Sequence, residues 1–286
     1  MNLNFWLIQA FNGLSYGALL FLLGSGLSLI FGVMRIVNLA HGSYFMLGGY
    51  VALTVIWTTG SWALAIPVAA LAIAVVGLLM ERLFLRPLGF DPLRQVLLTV
   101  GFAFLFQQAA LDIWTGNNFD INPPEALTRS VVVGGLYLPL YRVFMITIAV
   151  AIGVVIWLVM EKTRMGAMVR ATVDDAQMAR GVGIDTSRIS MFIFALGAFL
   201  AALGGVIGGA FLGIYPGLDF EILPLAFAVV IIGGMGSLGG AAIGALLVGL
   251  ADNFGKALFP EISYFTLYAP MALILAVKPT GLFGRE

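Results

Sequence analysis

Apolar stretches long enough to cross roughly 30 Å of hydrocarbon follow one another through this sequence, from Phe5 almost to Val277. No water-soluble core needs that much apolar chain, and no polar domain interrupts the series. In lipid every backbone N–H and C=O must pair within the chain, so repeated apolar runs mean helices. Composition agrees: 61% of the 286 residues are hydrophobic and 10% are charged. The expected fold is an all-α polytopic membrane bundle of about 8–9 spans, a single integral membrane domain over residues 1–286. The first run, 5–30, is too long for a signal peptide and lacks a basic leader. The chain has no cysteine, which removes disulfides and thiolate chemistry.

Spans are expected at 5–33, 44–57, 62–80, 96–114, 143–160, 189–213, 241–254 and 264–277. A shorter piece, 222–232, enters as a half-helix or crosses fully, and inside–outside parity favours a crossing. Gly13, Gly17, Gly24 and Gly26 give the first span a small-residue face for close helix approach. Within 116–141 the run VVVGGLYLPL predicts a small hairpin. Gln107, Gln108 and Asp112 should face protein or water rather than lipid.

Charge is unevenly placed. The segments 31–42, 81–95, 161–188 and the C-terminus hold Arg35, Arg82, Arg86, Arg94, Lys162, Arg164, Arg170, Arg180, Arg188, Lys278 and Arg285. The other side keeps Arg129, Arg142 and Lys256. Short-loop Lys and Arg set orientation, which puts the basic segments and the C-terminus in the cytoplasm and the N-terminus in the periplasm.

The segment RATVDDAQMARGVGID, 170–185, does not read as an idle loop. Ala171, Ala176 and Ala179 mix with Asp174, Asp175 and Arg180 at helical spacing until Gly181 and Gly183 end the pattern. Ala176 and Ala179 share a helix face, so a partner would read them by shape. Local composition leaves two readings open: a docking helix, or a solvated helix that orients its neighbouring spans. GGMGSLGG at 233–240 likewise lines a pathway or packs helices closely, through Gly233, Gly234, Gly236 and Gly239. In NLAHGS, Asn38, His41 and Gly42 mark a break after the first span. His41 relays protons there or simply fixes the break by a hydrogen bond.

Asp112 and Asp252 are the acids nearest span interiors. One histidine and unclustered carboxylates leave little material for a metal site. No nucleophile–base pair, zinc-protease pattern or phosphate loop appears, so nothing supports an enzyme, a cofactor or a nucleic-acid partner.

Three stretches, GLSLIFGVMRIVNLAHGSYFMLGGY at 26–50, RATVDDAQMARGVGID at 170–185 and IIGGMGSLGGAAIGALLVG at 231–249, resemble the permeases of branched-chain amino acid ABC importers. The likeness is to the first of their two permease types. It implies a coupling helix in the Ala171–Gly183 region, seated in a cleft of an ATP-binding subunit. It also implies a second permease, two ATP-binding subunits and a periplasmic solute-binding protein around this chain in a bacterial inner membrane. The solutes implied are branched-chain amino acids or related small polar and carboxylate compounds. The alternative is a stand-alone channel or ion-coupled carrier for a small solute such as urea or an amide, with Asp112 as the coupling charge.

Overall fold

A computed structural model describes residues 3–89, 91–278 and 280–284; Arg285, one of the basic residues counted above, lies outside them. The apolar runs wind into helices as the bilayer requires. They are α1 (Leu3–Met34), α2 (His41–Thr59), α3 (Trp62–Met80), α4 (Pro92–Trp114), α5 (Leu140–Lys162), α6 (Arg164–Asp174), α7 (Ala176–Gly181), α8 (Thr186–Leu212), α9 (Leu218–Gly233), α10 (Leu238–Leu258) and α11 (Ser263–Val277). Among the described residues, 6 helices are long and apolar enough to cross a membrane: α1, α3 with its extension to Leu88, α4, α5, α8 and α10. The shorter α2, α9 and α11, of 19, 16 and 15 residues, complete the bundle. The expected hairpin is present as β1 (Ser130–Val133) against β2 (Leu136–Pro139).

Polar side chains start the helices at the water-facing turns. Ser61, Asp91, Thr163, Asp185 and Ser237 each accept a hydrogen bond from a backbone N–H of the following turn. Each such cap is worth about 1 kcal/mol. The polar segment after α3 is shorter than its composition suggests. The helix tightens and widens through 81–88 before Gly89 breaks it.

α1 and α8 occupy the centre, and α4 and α5 the rim: 72% of the apolar windows of α1 and α8 is buried, against 17% and 22% for α4 and α5. Small residues bring the central helices together. A Cβ on Gly26 would lie 2.6 Å from the carbonyl oxygen of Gly197 on α8. One on Gly17 would lie 2.8 Å from the carbonyl oxygen of Ala245 on α10. Without a hydrophobic driving force between helices in lipid, this closeness supplies the dispersion contact that holds them.

One end of the bundle carries the turns after α1, α3 and α5 together with α6 and α7; it is called the basic end here. The opposite end carries 115–139, and is called the hairpin end. The glycine run 233–240 turns α9 into α10 at the basic end. Its residues pack rather than line an open break. Gly233 meets Gly240 across the turn, Gly236 lies against Gly32 of α1, and Gly234 lies against Gly284. The tail closes this turn: Leu282 N–H donates to Ile232 O and Phe283 N–H to Gly233 O, both at 3.0 Å. Gly239 faces open space on the outside of α10. Gly233, Gly234 and Gly236 are thus closely packed, and Gly239 is not.

Candidate functional site

After Met34 the chain does not stay at the surface. Arg35 takes φ +55 and the next residues run back into the bundle. Asn38 Oδ1 accepts from Ala40 N–H at 3.1 Å, and Thr99 Oγ1 accepts from Leu39 N–H at 3.2 Å. His41 Nε2 then lies 3.0 Å from Leu23 O. Leu23 is about 16 Å up α1 from Met34, so α2 starts inside the bundle. The histidine ties the break to α1, as the hydrogen-bond reading of NLAHGS expects.

α9 also starts inside. Its 16 residues reach about 24 Å, short of a full hydrocarbon thickness. Gly42 packs on the backbone of Asp219, and Ser43 Oγ donates to Asp219 Oδ2 at 2.8 Å. The N-terminal turns of α2 and α9 thus meet in the interior, and both bring their positive dipole ends to one carboxyl group. Asp219 is 2% exposed. Asn38 Nδ2, His41 Nδ1, Tyr50 OH and Asp219 Oδ1 have no hydrogen-bond partner within the described chain.

Asp219 was not among the sequence candidates: it sits in the turn IYPGLDFE, whose only charges are acidic. The signal available was length: a piece this short cannot begin at the surface and reach the other side. Asp112, expected as the coupling charge of a carrier, lies on the exposed side of α4 and accepts from Gln108 Nε2 at 2.9 Å. Asp252 pairs with Lys256 at 2.7 Å.

The 170–185 segment is two helices instead of one. Asp175 leaves the helical conformation at φ −154. Its carboxylate then caps α7 by accepting from Gln177 N–H at 2.8 Å and Met178 N–H at 2.9 Å. Ala171 and Ala176 are half-buried, and Ala179 is 3% exposed. The small-residue face thus turns inward onto this chain. Facing outward are Asp174, Asp175, Arg180, Gly183 and two apolar residues the sequence reading passed over, Met178 at 66% and Val182 at 71% exposure. Gly183 adopts φ +89, closing the segment as a helix-ending glycine should.

A polar cleft of about 500 Å³ opens beside α4, lined by Gln107, Asn118, Tyr215 and Glu221 with Leu111. Backbone pairing between Phe119 and Ile214, at 2.8 and 2.7 Å, carries the loop after α4 into it. Tyr215 OH donates to Glu221 Oε2 at 2.7 Å. Gln107 is half-buried in the cleft wall, whereas Gln108 and Asp112 are exposed on α4.

Residues 9–275 match the family described as the branched-chain amino acid transport system / permease component. The chain is 31% identical to the high-affinity branched-chain amino acid transport system permease protein LivH of Escherichia coli, over 98% of its own length and 96% of that protein. It is 30% identical to the corresponding BraD protein of Pseudomonas aeruginosa, with the same coverage. The LivM permease protein of Salmonella typhimurium is 26% identical over 91% of this chain and 67% of its own length. No solved structure matches the chain.

Proposed function

The chain belongs to the permease family of branched-chain amino acid transport systems, and on that premise we propose that it forms one side of a solute path powered by ATP-binding subunits docked on α6–α7. The family is one of transport permeases and not of enzymes. The match over residues 9–275 carries the proposal. It favours a subunit of an importer over a stand-alone carrier. The proposed solutes are branched-chain amino acids or related small polar and carboxylate compounds, delivered by a periplasmic binding protein. A second permease, of this type or of the type similar to LivM, completes the path. The basic end is proposed to face the cytoplasm, with the N-terminus periplasmic.

Docking on α6–α7 is supported by its exposed Met178 and Val182, two apolar side chains projecting from a helix that Asp175 caps. Exposed apolar groups held on a rigid, capped element suit burial in a partner's cleft. The surrounding Asp174, Asp175 and Arg180 add orientation more than affinity, since exposed pairs contribute 1 kcal/mol or less. Met178→Asp or Val182→Asp should reduce co-purification of the ATP-binding subunits about tenfold, because a charge would be buried unpaired. Substrate-stimulated ATP hydrolysis in reconstituted membranes should fall with it. Wild-type co-purification by both variants would remove the docking assignment.

A further inference from the structure

We infer that the cleft beside α4 is where the path receives a primary ammonium group, with Glu221 and Tyr215 as the recognising pair; this rests on the permease reading above. Gln107 lies about 10 Å below the hairpin end of α4, so the cleft opens within the thickness of the bundle. Carboxylate and amide groups at that depth are costly against lipid, and their place is a water-filled or protein-covered wall. The lining offers one carboxylate, one hydroxyl and two amides, and no lysine or arginine. Asp120 stands near by: its Oδ1 would be 3.2 Å from a Cβ on Gly213, a position that Asn118 Oδ1 also crowds. The cleft therefore attracts positive charge. An ammonium brings three donors, and a carboxylate held by one tyrosine hydroxyl retains room to accept them.

An aromatic pair stands close by in the chain: Phe104, one helical turn before Gln107, and Phe220, directly before Glu221, have ring centroids 5.4 Å apart, and both are exposed. A polar head group at Glu221 would place an apolar side chain over these rings. The arrangement suits a small amphiphile with an ammonium head, as an aliphatic amino acid is, better than urea or a simple carboxylate.

The cysteine-free chain allows a direct test. Gln107→Cys is placed in the assembled transporter in membrane vesicles and treated with methanethiosulfonate reagents of equal length, one ending in ammonium and one in sulfonate. Relative to their rates with a free thiol in solution, the ammonium reagent should react about tenfold faster, and Glu221→Gln in the same chain should abolish that excess. Saturating leucine should slow the ammonium reagent. Should Gln107→Cys fail to insert, Asn118→Cys on the loop side of the cleft takes the same measurement. Equal rates on that relative scale, or an excess that survives Glu221→Gln, would overturn the inference. Leucine uptake by wild-type vesicles is read in parallel. Its absence counts against a branched-chain amino acid as the solute, whereas intact uptake without reagent preference counts against the ammonium site alone.

Discussion

At the scale of single residues, the interior hydrogen bond between Ser43 and Asp219 is the contact with most at stake. It joins the first turns of two helices far apart in sequence, in surroundings where water does not compete. Ser43→Ala would leave the Asp219 carboxyl without that donor, at a cost of about 1–3 kcal/mol. The expected result is a lower melting temperature of the purified subunit in detergent; an unchanged one would show that Ser43 is not a supporting partner. Asp112→Asn touches only an exposed pair on α4, so uptake should remain near wild type. Loss of uptake with an intact assembly would revive the ion-coupled reading. These two acids also show where sequence reasoning stops. Asp112 sits inside an apolar run, where an acid should face protein or water, yet it is exposed; Asp219 follows a Gly-containing turn, yet it is buried. Burial was decided by a serine 176 positions away, which no local pattern contains.

At the scale of elements, the helices were legible because lipid leaves the backbone so few choices, and the hairpin because a valine run meets the turn pair Gly134–Gly135, both at positive φ. The facing of the helices was less so. Ala176 and Ala179 at three-residue spacing do share a side of α7, but periodicity cannot say whether that side meets a partner or its own chain. Here it meets its own chain, and Ala179→Trp should therefore overpack the subunit itself, costing about 1–3 kcal/mol. A thermal shift of the isolated subunit distinguishes this from loss of docking alone. The glycine run offers a second contrast. Gly236 takes φ +82 with Gly32 Cα 3.0 Å from where a Cβ would stand, whereas Gly239 has nothing within 4 Å. Gly236→Leu should lower the yield of folded protein sharply and Gly239→Leu should not, as judged by size-exclusion profiles. Matching yields would mean that the turn tolerates what its geometry forbids.

For the whole molecule, the separation of charge between the two ends is the property most open to measurement. Ser187→Cys near the basic end should be shielded from membrane-impermeant thiol reagents in intact cells, and Asn117→Cys in the loop after α4 should be labelled. The reverse pattern would invert the proposed orientation. The asymmetry was plain in the sequence because it depends only on which segments are polar. That the α2 and α9 starts converge was not, since it depends on tertiary packing.

The central place of α1 bears on how the protein is made. Its glycine face closes against α8, α9 and α10, whose contacting residues, Gly197, Val229 and Ala245, lie far along the chain. During synthesis that face must therefore wait uncovered in the bilayer until most of the polypeptide has followed it. An 18-residue window of the helix with mean hydropathy 2.1 makes that wait tolerable. The centre of the bundle is thus laid down first and completed near the end, so assembly proceeds by late arrivals closing around an early resident rather than by neighbours pairing in turn.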